Sequence, residues 1–175
     1  MRVTDMYENI KYMVIDVDGT MTDSGVYYDD NGNELKKFST KDGAGFFACR
    51  EGGIKIIVMT GRECAATTRR MKEFGITDLF QNVRAKKEWL TEYMAQNGIS
   101  REEIGYIGDD INDIPPMSLC GFVGCPADSC REVLERADYV SPICGGHGAM
   151  RDVIEFIFRQ RGQWDELVKI IYGGV

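Results

Sequence analysis

Histidine is nearly absent: His147 is the only one in 175 residues. One imidazole does not make a histidine-rich zinc site, and a histidine acting as acid or base needs an orienting partner. His147, in the loop Gly145-Gly146-His147-Gly148, is therefore read as structural or as a contact for the C-terminal tail. The six cysteines include no C-x-x-C pair. Cys120, Cys125 and Cys130 are evenly spaced, but without paired ligands they read as free thiols buried in a reducing compartment. Basic charge is in deficit, with 21 Lys and Arg against 28 Asp and Glu and a net charge of −7. That excludes a sequence-independent grip on nucleic acid, while leaving room for a local basic pocket around a small anion. No apolar run approaches the roughly 18 residues of a membrane span. The N-terminal stretch lacks the signal-peptide order of basic start, apolar core and small-residue cleavage site, so the expectation is a cytoplasmic protein with no membrane partner. What is present, 43% hydrophobic and 28% charged residues, is a globular mixture. The expectation is one domain over 1–175 that needs no disulfide or metal staple.

Short apolar runs alternate with helix-length segments. Residues 12–20, 55–62 and 104–110 each run from apolar residues into polar ones, and 121–126 is a weaker fourth case. Such runs suit parallel strands buried on both faces. Helical stretches are expected over 63–74 before Gly75, over 86–96 before Asn97-Gly98, and over 129–136 and 149–161. Ser100 and Glu103 predict a capping box. The alternation predicts an α/β fold with a doubly wound, mostly parallel sheet. One segment interrupts it: Asn31-Gly32 between strand-like flanks predicts a tight-turned hairpin flap over about 24–39. The end, about 162–175, predicts a short helix and a loose tail.

The chemistry is written where strands end, at the sheet edge where ligands of open α/β folds bind. The first tip carries Asp16-Val17-Asp18-Gly19-Thr20, the second Thr60-Gly61-Arg62, the third Gly108-Asp109-Asp110-Ile111-Asn112-Asp113. Lys86 opens the helix between the last two. Clustered carboxylates suit a hard divalent cation, with Mg²⁺ the default, and a lysine and a hydroxyl beside it suit phosphate.

These four pieces, in this order and spacing, resemble the motifs of the haloacid dehalogenase-like phosphatases. The resemblance implies roles residue by residue. Asp16 would be the nucleophile and Asp18 the acid and then the base. Thr60 would bind the phosphoryl group, and Lys86 would neutralise it and tether Asp16. Asp16, Asp109 and the backbone carbonyl of Asp18 would hold Mg²⁺. Asp113 would set the metal's water shell or Lys86, with Asp110 a rival for part of that role. Asp18 to Thr60 and Thr60 to Asp109 leave no room for the cap that many relatives insert, so the chain looks like a small capless branch acting on sugar-acid phosphates. The segments NGNELKKFSTKDGAG, TGRE, YIGDDINDIPPM, RADYV and GGHGAMRDV carry that likeness. The branch implies a homotetramer joined through the hairpins, with Tyr27, Tyr28 and Phe38 as interface packing. It also implies a neighbour's C-terminal tail near each active site, and a place in lipopolysaccharide biosynthesis.

A sugar acid adds a carboxylate, so cations beyond Lys86 are expected: Arg62, Arg70 and Lys41, with Gly61, Asp42 and Gly43 completing the substrate-binding set. Arg62 and the long C-terminal part favour 3-deoxy-D-manno-octulosonate 8-phosphate. Phe47 and Ser39-Thr40 favour a nonulosonate 9-phosphate. Arg62 and Arg70 have a plainer reading as surface partners of Glu63 or Glu73. A non-catalytic subunit accompanying a cytidylyltransferase is the reading from another class, and the complete set Asp16, Asp18, Thr60, Lys86 and Asp109 argues against it. A phosphomutase or phosphonatase would want a cap. Removing 164–175 is expected to spare the fold and impair closure of the site.

Overall fold

The computed structural model describes residues 3–173. Six parallel strands form the sheet, in the order β5-β4-β1-β6-β7-β8. They are β1 (Tyr12–Ile15), β4 (Lys55–Met59), β5 (Leu79–Phe80), β6 (Ile104–Ile107), β7 (Phe122–Cys125) and β8 (Tyr139–Val140). β2 (Tyr27–Tyr28) and β3 (Glu34–Leu35) make a separate antiparallel hairpin. Period-two alternation divides the buried side chains between the two faces. Met13, Ile15, Ile56, Val58, Ile107 and Phe122 enter one core; Val14, Ile57, Met59, Ile104, Tyr106 and Val123 enter the other. The first core packs on α2 (Asp42–Glu51), α7 (Ala149–Gln160) and α8 (Trp164–Tyr172). The second packs on α4 (Lys86–Asn97), α5 (Ile114–Met117) and α6 (Arg131–Leu134).

Strand order places the site. The chain winds from β1 outward through β4 to β5, then crosses back to β6 and winds the other way to β8. The reversal lies between β1 and β6, where open α/β sheets form their binding crevice. Ile15 pairs with both Val58 and Ile107, so Asp16, Thr60 and Gly108-Asp109 emerge side by side at one edge. Among the described residues no separate cap covers that edge. Asp18 to Thr60 holds the hairpin, α2 and β4; Thr60 to Asp109 holds α3 (Ala65–Glu73), β5, α4, one short turn and β6.

Several local expectations are met and several need correction. The capping box of Ser100 and Glu103 is present. The hairpin turn is wider than a two-residue Asn-Gly turn. Asp29 N–H donates to the Asn33 carbonyl and Gly32 N–H to the Asp29 carbonyl, with Gly32 at φ 80°. This is the three-residue loop with a left-handed glycine. The Asp29 carboxylate holds it, accepting from the backbone N–H of Asn31 and Asn33. Phe38 packs on the first core, while Val26, Tyr27, Tyr28 and Leu35 are exposed. Cys49, Cys64, Cys120 and Cys125 are buried free thiols, Cys130 is half-buried and Cys144 is exposed. β8 and α1 (Val3–Glu8) carry too little pattern to have been expected.

The C-terminal extension is part of its own chain's core. Trp164 and Leu167 of α8 are 5% exposed and join the first core, against α2 and α7. Deleting 164–175 would therefore remove core, contrary to the sequence-based expectation. Gly174 and Val175, the end of the expected loose tail, lie outside the described residues. Trp164→Ala is expected to cost about 3–5 kcal/mol, and about 6–20 °C in Tm, for loss of a buried indole. Thermal denaturation checks this; a shift below about 3 °C would show that the extension does not support the fold.

Candidate active site

The turn after β1 fixes the first motif. N–H groups of Met21 and Thr22 both donate to the Val17 carbonyl at 3.0 Å. Gly19 sits at φ 98°, and a Cβ there would lie 1.9 Å from Asp109 Oδ2. Only glycine permits both that backbone and that approach. The loop 144–148 presses on this turn, and a Cβ on Gly145 would lie 1.8 Å from the Gly19 carbonyl oxygen.

The centre is a buried charge cluster. Lys86 at the start of α4 donates from Nζ to Asp16 Oδ1 and to Asp113 Oδ1, both at 2.6 Å, and its side chain is 1% exposed. Asp113 is fully engaged: Oδ1 also accepts from Tyr106 OH at 2.7 Å, and Oδ2 accepts from the N–H groups of Asp109 (3.0 Å) and Asp110 (3.3 Å). Thr20 Oγ1 donates to Asp109 Oδ1 at 2.9 Å. Asp16, Asp109 and Asp113 each bring a carboxylate oxygen within 4.8 Å of the others. Asp110 turns away, accepting from the N–H of Ile111 at 2.8 Å. Of the two rivals, Asp113 alone meets Lys86.

One ammonium faces three carboxylates, and the electrostatics show the deficit. Burial, then Asp113, push the Asp16 carboxyl up to about 7 against the pull of Lys86. Burial, then Asp16 and Asp113, push Asp109 up to about 8. Burial opposes the charge on Lys86, but Asp16 and Asp113 outweigh it and raise its pKa. Among the described residues no donor reaches the second oxygen of Asp16 or of Asp109. Two such oxygens beside a site short of positive charge fit a hard divalent cation.

A stability prediction follows from the sign of these shifts. The unfolded carboxyls titrate near pH ~4. The folded ones hold their protons to about 7 and 8. The cation-free fold binds more protons across that interval, so the contribution of these groups to stability falls as pH rises from about 4 toward 8. Asp109→Asn is expected to raise the Tm of the chelator-treated protein at pH 8 and to flatten its decline from pH 5. Mg²⁺ should stabilise the unsubstituted protein more than the variant. A variant less stable than its parent at pH 8 in chelator would contradict this reading.

Asp18 faces a different set. Its carboxylate pairs with Lys36 and lies 3.4 Å from Thr60 Oγ1, so the Thr60 hydroxyl meets Asp18 here. Lys36 also reaches Glu34 at 3.2 Å, and Glu34 takes Arg62 Nη2 at 2.7 Å. Arg62 thus pairs with Glu34 and not with Glu63 or Glu73; its neighbour Gly61 is half-buried beside Thr60. Sequence reasoning missed Lys36 and Glu34. The signal was there: Glu34, Lys36 and Phe38 alternate with Leu35 and Lys37, one set inward and the other outward.

The remaining expected substrate residues divide. Arg70 bonds Glu73 (2.9 Å) and the Ser39 carbonyl (3.2 Å), with its guanidinium over Phe74. Asp42 is buried, and Oδ1 accepts from the N–H of Arg151 at 3.1 Å. It caps the start of α7, where Gly148 at the N-cap has no side chain to do so. Burial pushes its carboxyl up to about 6. Gly43 packs under Phe74, which a Cβ would meet at 3.1 Å. Asp42 and Gly43 therefore hold α2 in place. Lys41 is exposed, its stem along Gly148. His147 Nδ1 lies 2.7 Å from the Gly145 carbonyl and Nε2 lies 2.9 Å from Lys37 Nζ, a structural placement at the rim.

Comparison with known proteins agrees with this geometry. The family model for haloacid dehalogenase-like hydrolases matches residues 46–116. The 3-deoxy-D-manno-octulosonate 8-phosphate phosphatase of Escherichia coli K12 is 35% identical over 159 residues, covering 91% of this chain and 85% of that protein. The chain belongs to the haloacid dehalogenase-like phosphatases. Among solved structures, the Moraxella catarrhalis octulosonate 8-phosphate phosphatase, in complex with a magnesium ion, a phosphate ion and KDO, has a TM-score of 0.89 and 31% identity. The match covers 97% of this chain and 99% of that one. The cobalt-bound Haemophilus influenzae enzyme has a TM-score of 0.86 and 34% identity, covering 91% and 94%.

Proposed function

We propose that this phosphatase is a Mg²⁺-dependent phosphomonoesterase that hydrolyses 3-deoxy-D-manno-octulosonate 8-phosphate through an aspartyl-phosphate on Asp16. The observation that carries it is the buried pair Lys86–Asp16 beside Asp109, at the strand tips of a fold shared with the KDO-bound Moraxella enzyme. Asp16, Asp109 and the backbone carbonyl of Asp18 would hold the cation. The cation supplies the positive charge that lets a carboxylate approach a phosphate dianion.

The residues divide the work. An Asp16 carboxylate oxygen attacks phosphorus while the bond from phosphorus to the sugar oxygen breaks. Asp18 gives its proton to that departing oxygen, and the sugar acid leaves with a free hydroxyl. Asp18, now a carboxylate, takes a proton from water as the water oxygen attacks phosphorus. The bond to Asp16 breaks, and inorganic phosphate leaves. Lys86 holds Asp16 in line and, with Thr60 and the backbone at Gly61, meets the charge on the transferring group. Asp113 fixes Lys86 and the Asp109 backbone.

The same reading includes a homotetramer packed through the exposed hairpin face and a cytoplasmic setting. Four buried free thiols suit that setting, and among the described residues no helix is long and apolar enough to cross a membrane. A tail contribution to a neighbour's site would fall to residues beyond α8. As a single chain, 1–175 would act as one phosphatase domain with the hairpin as its flap. The test is phosphate release from a panel of sugar-acid phosphates with Mg²⁺ and with chelator. The octulosonate 8-phosphate should be the best substrate and chelator should abolish its hydrolysis. A nonulosonate 9-phosphate turned over faster would overturn the substrate assignment, and undiminished release in chelator would overturn the cation.

A further inference from the structure

The cations expected to receive the substrate are largely occupied. Lys86 is shared by Asp16 and Asp113. Arg70 is held by Glu73 and the Ser39 carbonyl, and Arg62 by Glu34. A sugar-acid phosphate still brings a carboxylate as well as its phosphate, and the walls must answer it.

Lys36 is paired too, with Asp18 and Glu34, and what sets it apart is its place beside Asp18. Its side chain is 2% exposed, against 49% for the adjacent Lys37. A lysine so enclosed, at the end of a hairpin arm, is directed there by the alternation of an extended strand. Its ammonium bridges Asp18 and Glu34. Glu34 is held from its other side by Arg62, and that pairing lowers its carboxyl below the ordinary range. The chain Asp18–Lys36–Glu34–Arg62 thus runs from the acid-base residue out along the hairpin, with two negative and two positive charges. The sugar oxygen that leaves must arrive at Asp18, and Lys36 is the cation already touching Asp18. With Asp18 as the acid, that contact would put Lys36 beside the sugar, and the contact of Lys86 with Asp16 would put Lys86 beside the phosphorus.

We infer that Lys36 is a substrate-binding residue that recognises the carboxylate of the departing sugar acid, and that Glu34, fixed by Arg62, sets its reach. This rests on the phosphatase reading above and deepens it. On substrate entry the ammonium would exchange part of its contact with Asp18 for the incoming carboxylate, and Asp18, carrying the proton it gives to the leaving oxygen, would no longer need a cation beside it. Arg62 then contributes through Glu34 as a positioning residue, and the hairpin, in place of a cap, supplies specificity.

The experiment compares Lys36→Met and Lys36→Arg with the unsubstituted protein. Each is assayed on octulosonate 8-phosphate, on other carboxylated sugar phosphates, and on glucose 6-phosphate, which has no carboxylate but whose leaving alkoxide needs the proton of Asp18 just as much. Lys36→Met should lower kcat/KM on the carboxylated substrate, mainly through KM. The ratio of that kcat/KM to the glucose 6-phosphate value should fall about 10- to 150-fold, whereas harm done only through Asp18 would lower both values and leave the ratio alone. Lys36→Arg should restore a substantial part of the ratio. A ratio that shifts less than about threefold overturns the proposal, whether both activities fall or neither does. The Tm of each variant separates misfolding from specificity, since misfolding lowers both activities and leaves the ratio alone. If the unsubstituted protein prefers another carboxylated sugar phosphate, the octulosonate assignment fails while Lys36 is judged on that substrate. If it prefers phosphates without a carboxylate, the inference about Lys36 fails too.

Discussion

Asp16→Asn is expected to abolish turnover, by on the order of 10⁴-fold or more, in a protein that stays folded. The amide matches the carboxylate in shape but is a poor nucleophile. Its carbonyl oxygen can still accept the bond that Lys86 now gives Asp16 Oδ1 at 2.6 Å. The substitution also removes one of three crowded carboxyls, so the Tm should hold or rise in chelator. Phosphate release, with mass analysis to exclude deamidation back to aspartate, measures the loss. Turnover within tenfold of the parent would remove Asp16 from the chemistry.

Lys86→Met should do two kinds of harm. Lys86 meets both Asp16 and Asp113 at 2.6 Å. Without it those carboxylates stay buried with no ammonium between them. Breaking such a pair by removing one partner costs about 3–5 kcal/mol, or about 6–20 °C in Tm. Activity should fall by about 10²–10³-fold or more, because the cation facing the transferring group is gone. The double variant Lys86→Met, Asp113→Asn separates the effects. It should regain part of the lost stability, since one orphaned charge has gone with its partner, and none of the activity. Recovered activity in the double variant would show that Lys86 serves only to neutralise Asp113.

The clustered carboxylates were legible in the sequence because their positions follow from strand ends. An apolar run that stops at Asp16, Thr60 or Gly108 must bring those residues to the carboxyl edge of a parallel sheet. β1, β4 and β6 lie next to one another, which turns three separate tips into one site. Lys86 was legible as the first residue of a helix, and its burial between two carboxylates was not. The residues expected to bind substrate were harder to read because their partners are distant in sequence. Arg62 meets Glu34, 28 positions away, and Asp42 meets the backbone of Arg151, 109 positions away. Neither pairing leaves a periodic mark. Lys36 lies just beyond β3, and only the alternation of Glu34, Lys36 and Phe38 with Leu35 and Lys37 marks it as inward, a pattern too short to weigh against the usual exposure of lysine. The packing of the C-terminal helix was hard to read for another reason. Its apolar face suits a neighbour or its own chain equally, and the pattern alone does not tell that Trp164 and Leu167 lie against α2 and α7.

The most direct measurement is capture of the intermediate on the protein. The enzyme, with Mg²⁺ and octulosonate 8-phosphate labelled in its phosphate, is quenched in acid within a single turnover. Borohydride reduction then converts an acyl phosphate to the alcohol, and peptide mass analysis locates it. The expected result is protein-bound label that rises and decays before phosphate release is complete, with residue 16 recovered as homoserine. Phosphate released with no label on the protein at any time, or label on a residue other than Asp16, would contradict the mechanism.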